Sequence, residues 1–340
     1  MKVLHILRSN RFSGAENVVC QVIGRFNSRY GYEMAYCSPK GPIADILKDK
    51  GIPFIGLDSL SPLNVKKAID EYKPDIIHAH GTSAGFIASS VSCKIPLVLH
   101  IHNNSKNSSR LSLKSIANIL PFYKAKHVIW VSDDCLNCYM FSGFVKKKST
   151  VISNGIDTEI YSRATKIDKN KLIMVSRFAP AKDHLTVVRS LPLVDERLHV
   201  YFVGDGETME ECKRLVDDLK LENRVHFLGK RFDIPHLIND AYIGIQSSHW
   251  EGFGLSALEI MACGVPLIAS AANGLKQVVE GAGLIFEIGN EKELANTINA
   301  LDSNTEYYNS VAEKCRERAE MYSMSKMAAK CKSVYDRIIM

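Results

Sequence analysis

Short apolar runs recur through the first half of the chain: KVLHIL from Lys2, then EMAYCS, IPFIGL, DIIHAH, PLVLHI, HVIWVS and STVIS, each separated from the next by a stretch with helical spacing of its apolar positions. A run too short for a helix and bounded by turn residues reads as a buried strand, so the alternation predicts strand, helix, strand and a parallel sheet with helices on both faces. The pattern resumes with KLIMVSR from Lys171, residues 198–203 and RVHFLG from Arg224. Residues 322–339, YSMSKMAAKCKSVYDRII, form an amphipathic stretch that predicts a terminal helix. Ligands of such sheets collect outside the carboxyl ends of the strands, so the residues following each run carry the candidate chemistry.

At 340 residues the chain is too long for one ordinary core and suits two α/β domains of roughly 150 residues each. The expected division is 1–166 and 167–322, with the weakly apolar residues 158–170 as linker. Hydrophobic content of 46% with 24% charged residues is that of a globular protein. No apolar run is long enough to span a bilayer, and the apolar start is too short for a signal peptide. Nine cysteines at irregular spacings make no disulfide framework. Together these lead us to expect a cytoplasmic protein. Cys135 and Cys138 form a lone C-x-x-C, read as lining a helix face rather than as a zinc or redox pair.

The charge is lopsided. Residues 1–166 carry 22 Lys and Arg against 12 Asp and Glu, and the remainder 21 against 25. Basic residues gather at Lys106, Arg110, Lys114, Lys124 and Lys126 and again at 146–148. Such a half is either a solvated basic surface or a face for an anionic partner, such as membrane phospholipid or a polyprenyl-diphosphate acceptor. Nucleic acid is not expected, because no aromatic-interleaved basic stripe accompanies the charge.

The richest stretch is 247–279, SSHWEGFGLSALEIMACGVPLIASAANGLKQVV. Gly252 and Gly254 punctuate a turn that should open a helix with Leu255, Leu258 and Ala262 on its apolar face, stopped at Gly264. A helix entered through glycines aims free N–H groups and a partial positive charge at whatever lies in front, which suits a phosphate. Glu251 and, by its lean toward the helix start, Glu259 would face the same ligand; as isolated residues the two glutamates could equally be ordinary helix formers. Arg177, at the end of a predicted strand, and Lys182 five residues on could clamp a diphosphate. After the first strand, Ser13-Gly-Ala-Glu16 opens a helix without a G-x-G-x-x-G fingerprint, which argues against an NAD-dependent oxidoreductase. His78 with His80, and His100 with His102, lie in pairs on one sheet face. Without carboxylate or cysteine partners they read as buried, hydrogen-bonded histidines rather than a metal site. Residues 103–118 read as a polar loop leading into a basic helix.

The combination E-G-F-G-L-x-x-L-E followed by A-C-G-V-P-L-I-A-S resembles the C-terminal donor-site motif of family 4 glycosyltransferases, retaining enzymes of the GT-B fold. The resemblance covers nearly the whole chain. It implies two Rossmann-like domains facing a central cleft, with residues 323–340 crossing back to the N-terminal domain. The N-terminal domain would take the acceptor and the C-terminal one the donor. It implies transfer of a sugar from a nucleotide diphosphate, UDP being the expected carrier, to an acceptor hydroxyl. The expected acceptor is a glycan of a bacterial surface polysaccharide or a lipid-linked glycan, reached by a protein that is cytoplasmic or peripheral at the inner membrane face. The expected catalytic residues are Glu251, which orients the donor sugar, His102, which contacts it from the other domain, and the phosphate-binding Arg177 and Lys182. Substrate contacts are expected from Ser13 and Gly14 over the diphosphate, the turn Gly252, Phe253, Gly254 and Leu255, Glu259 on the ribose, Phe227 and Leu228 around the base, and Asn103. No D-x-D occurs in the sequence, so neither a metal nor another cofactor is expected. Asn154-Gly-Ile-Asp157 is similar to the family's N-G-V-D, and Gly204-Asp-Gly206 to its V-G-x-G. Three positions depart from the family pattern: Ser13 replaces a glycine, Asp183 stands where glycine is usual, and around Gly274 one glycine of G-G-x-x-E is missing and its glutamate displaced. The alternatives are a noncatalytic nucleotide-sugar binding protein and a GT-B phosphorylase or epimerase.

Overall fold

A computed structural model describes all residues except 93, 103–118, 141, 162–165 and 340. Contacts divide the chain into two units, Met1–Gly155 with Met324–Met340, and Ile156–Ser323. The polar segment expected to be a loop and basic helix, and Asn103 with it, lies outside the described residues.

The first unit is built on a parallel sheet of β1 (Lys2–Ile6), β2 (Glu33–Pro39), β3 (Phe54–Leu57), β4 (Ile76–His80), β5 (Leu97–Ile101), β6 (His127–Trp130) and β7 (Ser149–Val151), in the order 3-2-1-4-5-6-7. All five residues of β4 and of β5 are buried, as a strand covered by helices on both faces requires. Helix starts follow local chemistry. Ser61 caps Pro62–Tyr72 by accepting from the Asn64 amide at 3.3 Å, with proline in the first turn where no N–H is needed. The second unit repeats the plan with β8 (Asp168–Val175), β9 (His199–Val203), β10 (Val225–Phe227), β11 (Ala241–Gln246), β12 (Leu267–Ser270) and β13 (Leu284–Phe286), in the order 10-9-8-11-12-13. Both sheets reverse their winding beside the first strand, between β1 and β4 and between β8 and β11. The crevice that doubly wound sheets use for ligands lies at the carboxyl ends of those pairs.

The terminal helix runs from Met324 to Ile339 and packs in the first unit. Met324, Met327, Ala328, Cys331, Val334 and Tyr335 form its buried stripe at helical spacing. Tyr32 donates to Asp336 at 3.0 Å, and the Tyr335 hydroxyl meets His78 Nδ1 at 2.6 Å. The boundary falls after Gly155, earlier than residue 166. The Ile156 amide donates to Tyr322 O at 3.0 Å, Ile156 bridges Ser323, and Tyr161 is buried against Glu259, which ties the expected linker's start to the second unit. Residues 168–170 are already β8.

Candidate functional site

In the second unit the loops after β8 and β11 are zipped together. The Asp183 amide donates to Ser247 O at 3.2 Å, the His249 amide to Ala181 O at 2.9 Å, and Lys182 bridges Ser248. Ser270 fixes the second loop, accepting from the Ser248 amide at 2.9 Å and donating to its carbonyl at 2.8 Å. This brings Lys182 into an ion pair with Glu251, 69 residues away, while Lys182 also reaches Ser248 Oγ at 3.3 Å. The side chains are 17% and 19% exposed, so the pair sits within reach of a ligand and is shielded enough for its charge to act strongly. Arg177 is exposed on the loop after β8 and makes no ion pair among the described residues.

The glycine turn behaves as its sequence suggests. Gly254, at φ +89°, caps the helix Leu255–Ala262 from the left-handed region, which residues with a Cβ rarely adopt. Its neighbour across space was not legible in the sequence. A Cβ on Gly274 would lie 2.5 Å from Glu251 O and 2.6 Å from Gly252 O, so the single glycine kept at that position is where the helix Asn273–Val279 touches the Glu251 loop. Asp183, in place of a glycine, caps the helix His184–Ser190, accepting from the Thr186 amide at 3.1 Å and the Thr186 hydroxyl at 2.6 Å. That signal was readable as an N-cap. Phe227 ends β10, and the Leu228 amide is committed to Phe202 O at 2.9 Å. Leu228 therefore has only its carbonyl to offer a base.

Glu259 lies in the second turn of the helix behind Gly254. By surface it is half-buried, yet loss of solvent pushes its carboxyl up to about 7, opposed by the Tyr161 hydroxyl, whose hydrogen bond favours the charged form. A carboxyl raised in the fold stabilises it below the unfolded value and loses that contribution as pH rises through the folded value. The window is therefore about 4.3 to about 7. The wild-type melting temperature is expected to fall relative to that of Glu259→Gln as pH rises through this window, by a few degrees, in paired thermal scans. A constant difference between the two proteins would contradict the burial argument.

In the first unit a cavity of about 290 Å³ opens at the carboxyl ends of β1, β4 and β5, with Arg8, Glu16, His80, Gly81, His102 and Trp130 in its wall. Ser13 takes the N-cap position of the helix Gly14–Arg25, but its hydroxyl donates to the buried Glu16 carboxylate and accepts from no backbone amide of the first turn. Glu16, rather than Ser13 or Gly14, lines the cavity. Burial holds His102 near 4, so it presents a neutral ring to the cavity. His80 lines the wall beside His102, while the share of His5 in the same histidine cluster was not foreseen. Some of the basic charge has internal work: Lys124 donates to Ser89 O at 3.0 Å, and Lys148 to Tyr123 O at 2.9 Å and Ala125 O at 2.7 Å. Cys135 is buried and Cys138 exposed, and the described cysteines are all free.

Comparison with known proteins agrees with this architecture. The profile described as Glycosyltransferase Family 4 matches residues 12–160, and that described as Glycosyl transferases group 1 matches residues 157–318. The chain is 26% identical to the Escherichia coli UDP-Gal:alpha-D-GlcNAc-diphosphoundecaprenol alpha-1,3-galactosyltransferase, over 98% of this chain and 96% of that one. It is 27% identical to the Campylobacter jejuni N,N'-diacetylbacillosaminyl-diphospho-undecaprenol alpha-1,3-N-acetylgalactosaminyltransferase, over 53% of this chain and 48% of that one. Among solved structures, Anabaena HepE in complex with UDP and glucose superposes with a TM-score of 0.87 at 23% identity, over 99% of this chain and 100% of that one. The fold and these matches define a glycosyltransferase of the GT-B class. Within that class, the chain belongs to glycosyltransferase family 4.

Proposed function

We propose that the protein moves a sugar, with retention, from a UDP-sugar to a hydroxyl of a lipid-linked glycan in bacterial surface polysaccharide or glycolipid synthesis. The observation that carries this reading is the Lys182–Glu251 pair beside the Gly254-capped helix, at the switch point of the second sheet. The departing diphosphate gathers negative charge while the sugar becomes oxocarbenium-like. Lys182, Arg177 and the amides from Gly252 through Phe253 and Gly254 to Leu255 receive the diphosphate, an arrangement whose single donors are worth about 3 kcal/mol in other enzymes. Glu251, released from Lys182, faces the sugar. The bond from the anomeric carbon to the phosphate oxygen breaks, the acceptor oxygen bonds to the same face, and the acceptor proton passes to the leaving phosphate oxygen. Glu259 accepts from the ribose hydroxyls, the Leu228 carbonyl and Phe227 frame the base, His102 contacts the sugar, and Ser13 and Gly14 lie over the diphosphate. The absence of D-x-D in the sequence and the presence of these cations support a reaction without a metal.

The E. coli relative acts on a diphosphoundecaprenol acceptor, which supports a lipid-linked one here. Among the described residues no helix is long and apolar enough to cross a membrane. Phe144 and Tyr123 are 86% and 80% exposed and exposed Lys126, Lys146 and Lys147 lie close in sequence. Aromatic and basic side chains together suit peripheral contact with an anionic membrane surface.

A panel of UDP-, GDP- and ADP-sugars tests the donor. UDP-sugars are expected to raise the melting temperature most and to be slowly hydrolysed, and mass spectrometry of extracted lipid-linked glycans should show one added sugar. Equal response to all three bases, or to none, would remove UDP from the proposal.

A further inference from the structure

Five imidazoles occupy one region of the first sheet. In the strand register His5 stands beside His78, and His80 beside His100. His5 Nδ1 lies 3.0 Å from His80 Nε2, and His80 Nδ1 lies 2.8 Å from His102 Nε2. The ring centres of the same pairs are 5.3 and 5.1 Å apart. These separations exceed the nitrogen distances by about two ring radii, which puts the facing nitrogens on the line between the rings. Both contacts are therefore in-line N–H···N hydrogen bonds.

A metal ion is the first occupant to consider. The nitrogen sets close enough to share one are His5, His78 and His80, and His80, His100 and His102. Both sets need His80, whose two nitrogens are already engaged with neighbouring rings, and in-line lone pairs aim at each other rather than at a common third point. The cluster is better explained as hydrogen-bonded.

Burial keeps these rings neutral, with His5 near 3, His102 near 4 and His80 well below the usual range. A neutral imidazole has one donor and one acceptor nitrogen, so the chain runs in one of two directions. With protons on the Nδ1 atoms, His5 donates to His80, His80 donates to His102, and His102 Nδ1 is left to donate to Asn154. Asn154 interacts with the His102 ring, and Asn154 Oδ1 and His102 Nδ1 are both buried, each without an assigned hydrogen-bond partner among the described residues, so a proton on Nδ1 would satisfy both. Along His5, His80, His102 and Asn154, only the lone pair on His5 Nε2 is then unpaired; the unpartnered nitrogens of His78 and His100 are the same in either direction. The opposite direction strands the Nε2–H of His5, the bare Nδ1 of His102 and the oxygen of Asn154. Unpaired buried groups are costly, and one is better than three.

The geometry points to a one-way wire, His5 to His80 to His102 to Asn154, that fixes His102 as its neutral Nδ1–H tautomer and makes His5, His80 and Asn154 positioning residues. Asn154 opens the Asn-Gly-Ile-Asp turn, so that motif acts here as the terminal acceptor. With both nitrogens committed, His102 is neither acid nor base but a ring held at a set angle in the cavity wall. Only the last link, from that angle to turnover, rests on the sugar contact proposed above.

The test uses the full chain with 15N-labelled histidine and long-range proton–nitrogen correlation spectra. His5, His80 and His102 are expected to show protonated Nδ1 and bare Nε2, unmoved by one equivalent of zinc. Asn154→Ala is expected to give His102 a mixed tautomer pattern and to lower turnover about tenfold at unchanged UDP affinity. Asn154→Asp keeps an acceptor and should keep the pattern, and His80→Gln, which retains a donor and an acceptor, should fold and preserve more turnover than His80→Phe. A protonated Nε2 on wild-type His102, an unchanged His102 pattern in Asn154→Ala, or zinc-shifted His80 signals would overturn the wire. An altered pattern with undiminished turnover would leave the wire standing and overturn its role in positioning.

Discussion

Lys182→Ala is expected to lower sugar transfer by about 100- to 1,000-fold, the usual loss when one preorganised donor to a developing charge is removed, while moving the melting temperature by only a few degrees. The two magnitudes separate because the ion pair with Glu251 is neither fully buried nor free. Breaking a fully buried pair costs about 3–5 kcal/mol, whereas exposed pairs are worth about 0–1 kcal/mol. At 17% and 19% side-chain exposure the stranded Glu251 can still recruit water, so stability changes modestly. In the reaction Lys182 exchanges Glu251 for the leaving diphosphate. Arg177, exposed five residues earlier on the same loop, supplies the residual rate. Glu251→Gln gives the complementary result: turnover falls, yet nucleotide affinity holds or rises, because the carboxylate that competes with phosphate for Lys182 is gone. Steady-state kinetics beside calorimetric binding of UDP reads both. A Glu251→Gln protein with full turnover would remove Glu251 from the catalytic residues.

That exchange depends on two residues far apart in the chain, and it marks the limit of what the sequence made legible. Each of the seven apolar runs of the first half forms a strand of the seven-stranded sheet, because a strand buried on both faces needs a continuous apolar run, visible without any partner. The glycine turn and the helix Leu255–Ala262 were readable for the same reason: a left-handed cap and a helix stop are local. AYIGIQ, LIAS and LIF, which form β11, β12 and β13, stood hidden among longer apolar and glycine-rich surroundings. What joins Lys182 to Glu251, His5 to His80 or Tyr161 to Glu259 has no periodicity. Such contacts follow from strand order and loop pairing, which the sequence specifies only through the whole sheet.

Gly274→Ala carries the argument to a residue that touches no ligand in the proposed mechanism. Its added methyl would sit 2.5 Å from Glu251 O and 2.6 Å from Gly252 O, and carbonyl oxygens are backbone, so they cannot swing aside as a side-chain tip can. The buried helix Asn273–Val279 is anchored by Leu275, Val278 and Val279, whereas the Glu251 loop is half-buried and glycine-rich. The loop is the side that yields. Glu251 would then move by a fraction of an ångström to about 1 Å, a misplacement able to cost about 100-fold in rate. Overpacking of this kind costs about 1–3 kcal/mol, too little to unfold a unit of this size. The expected result is a folded protein that has lost about 100-fold in turnover, with UDP stabilising it less than it stabilises the wild type. Gly281→Ala is the control. That residue has φ +82° and nothing within 4 Å of an added Cβ, so it should lose stability through backbone strain but keep its turnover. If both substitutions lowered stability alike and neither changed turnover, the Glu251 loop could not be the place where the sugar is held.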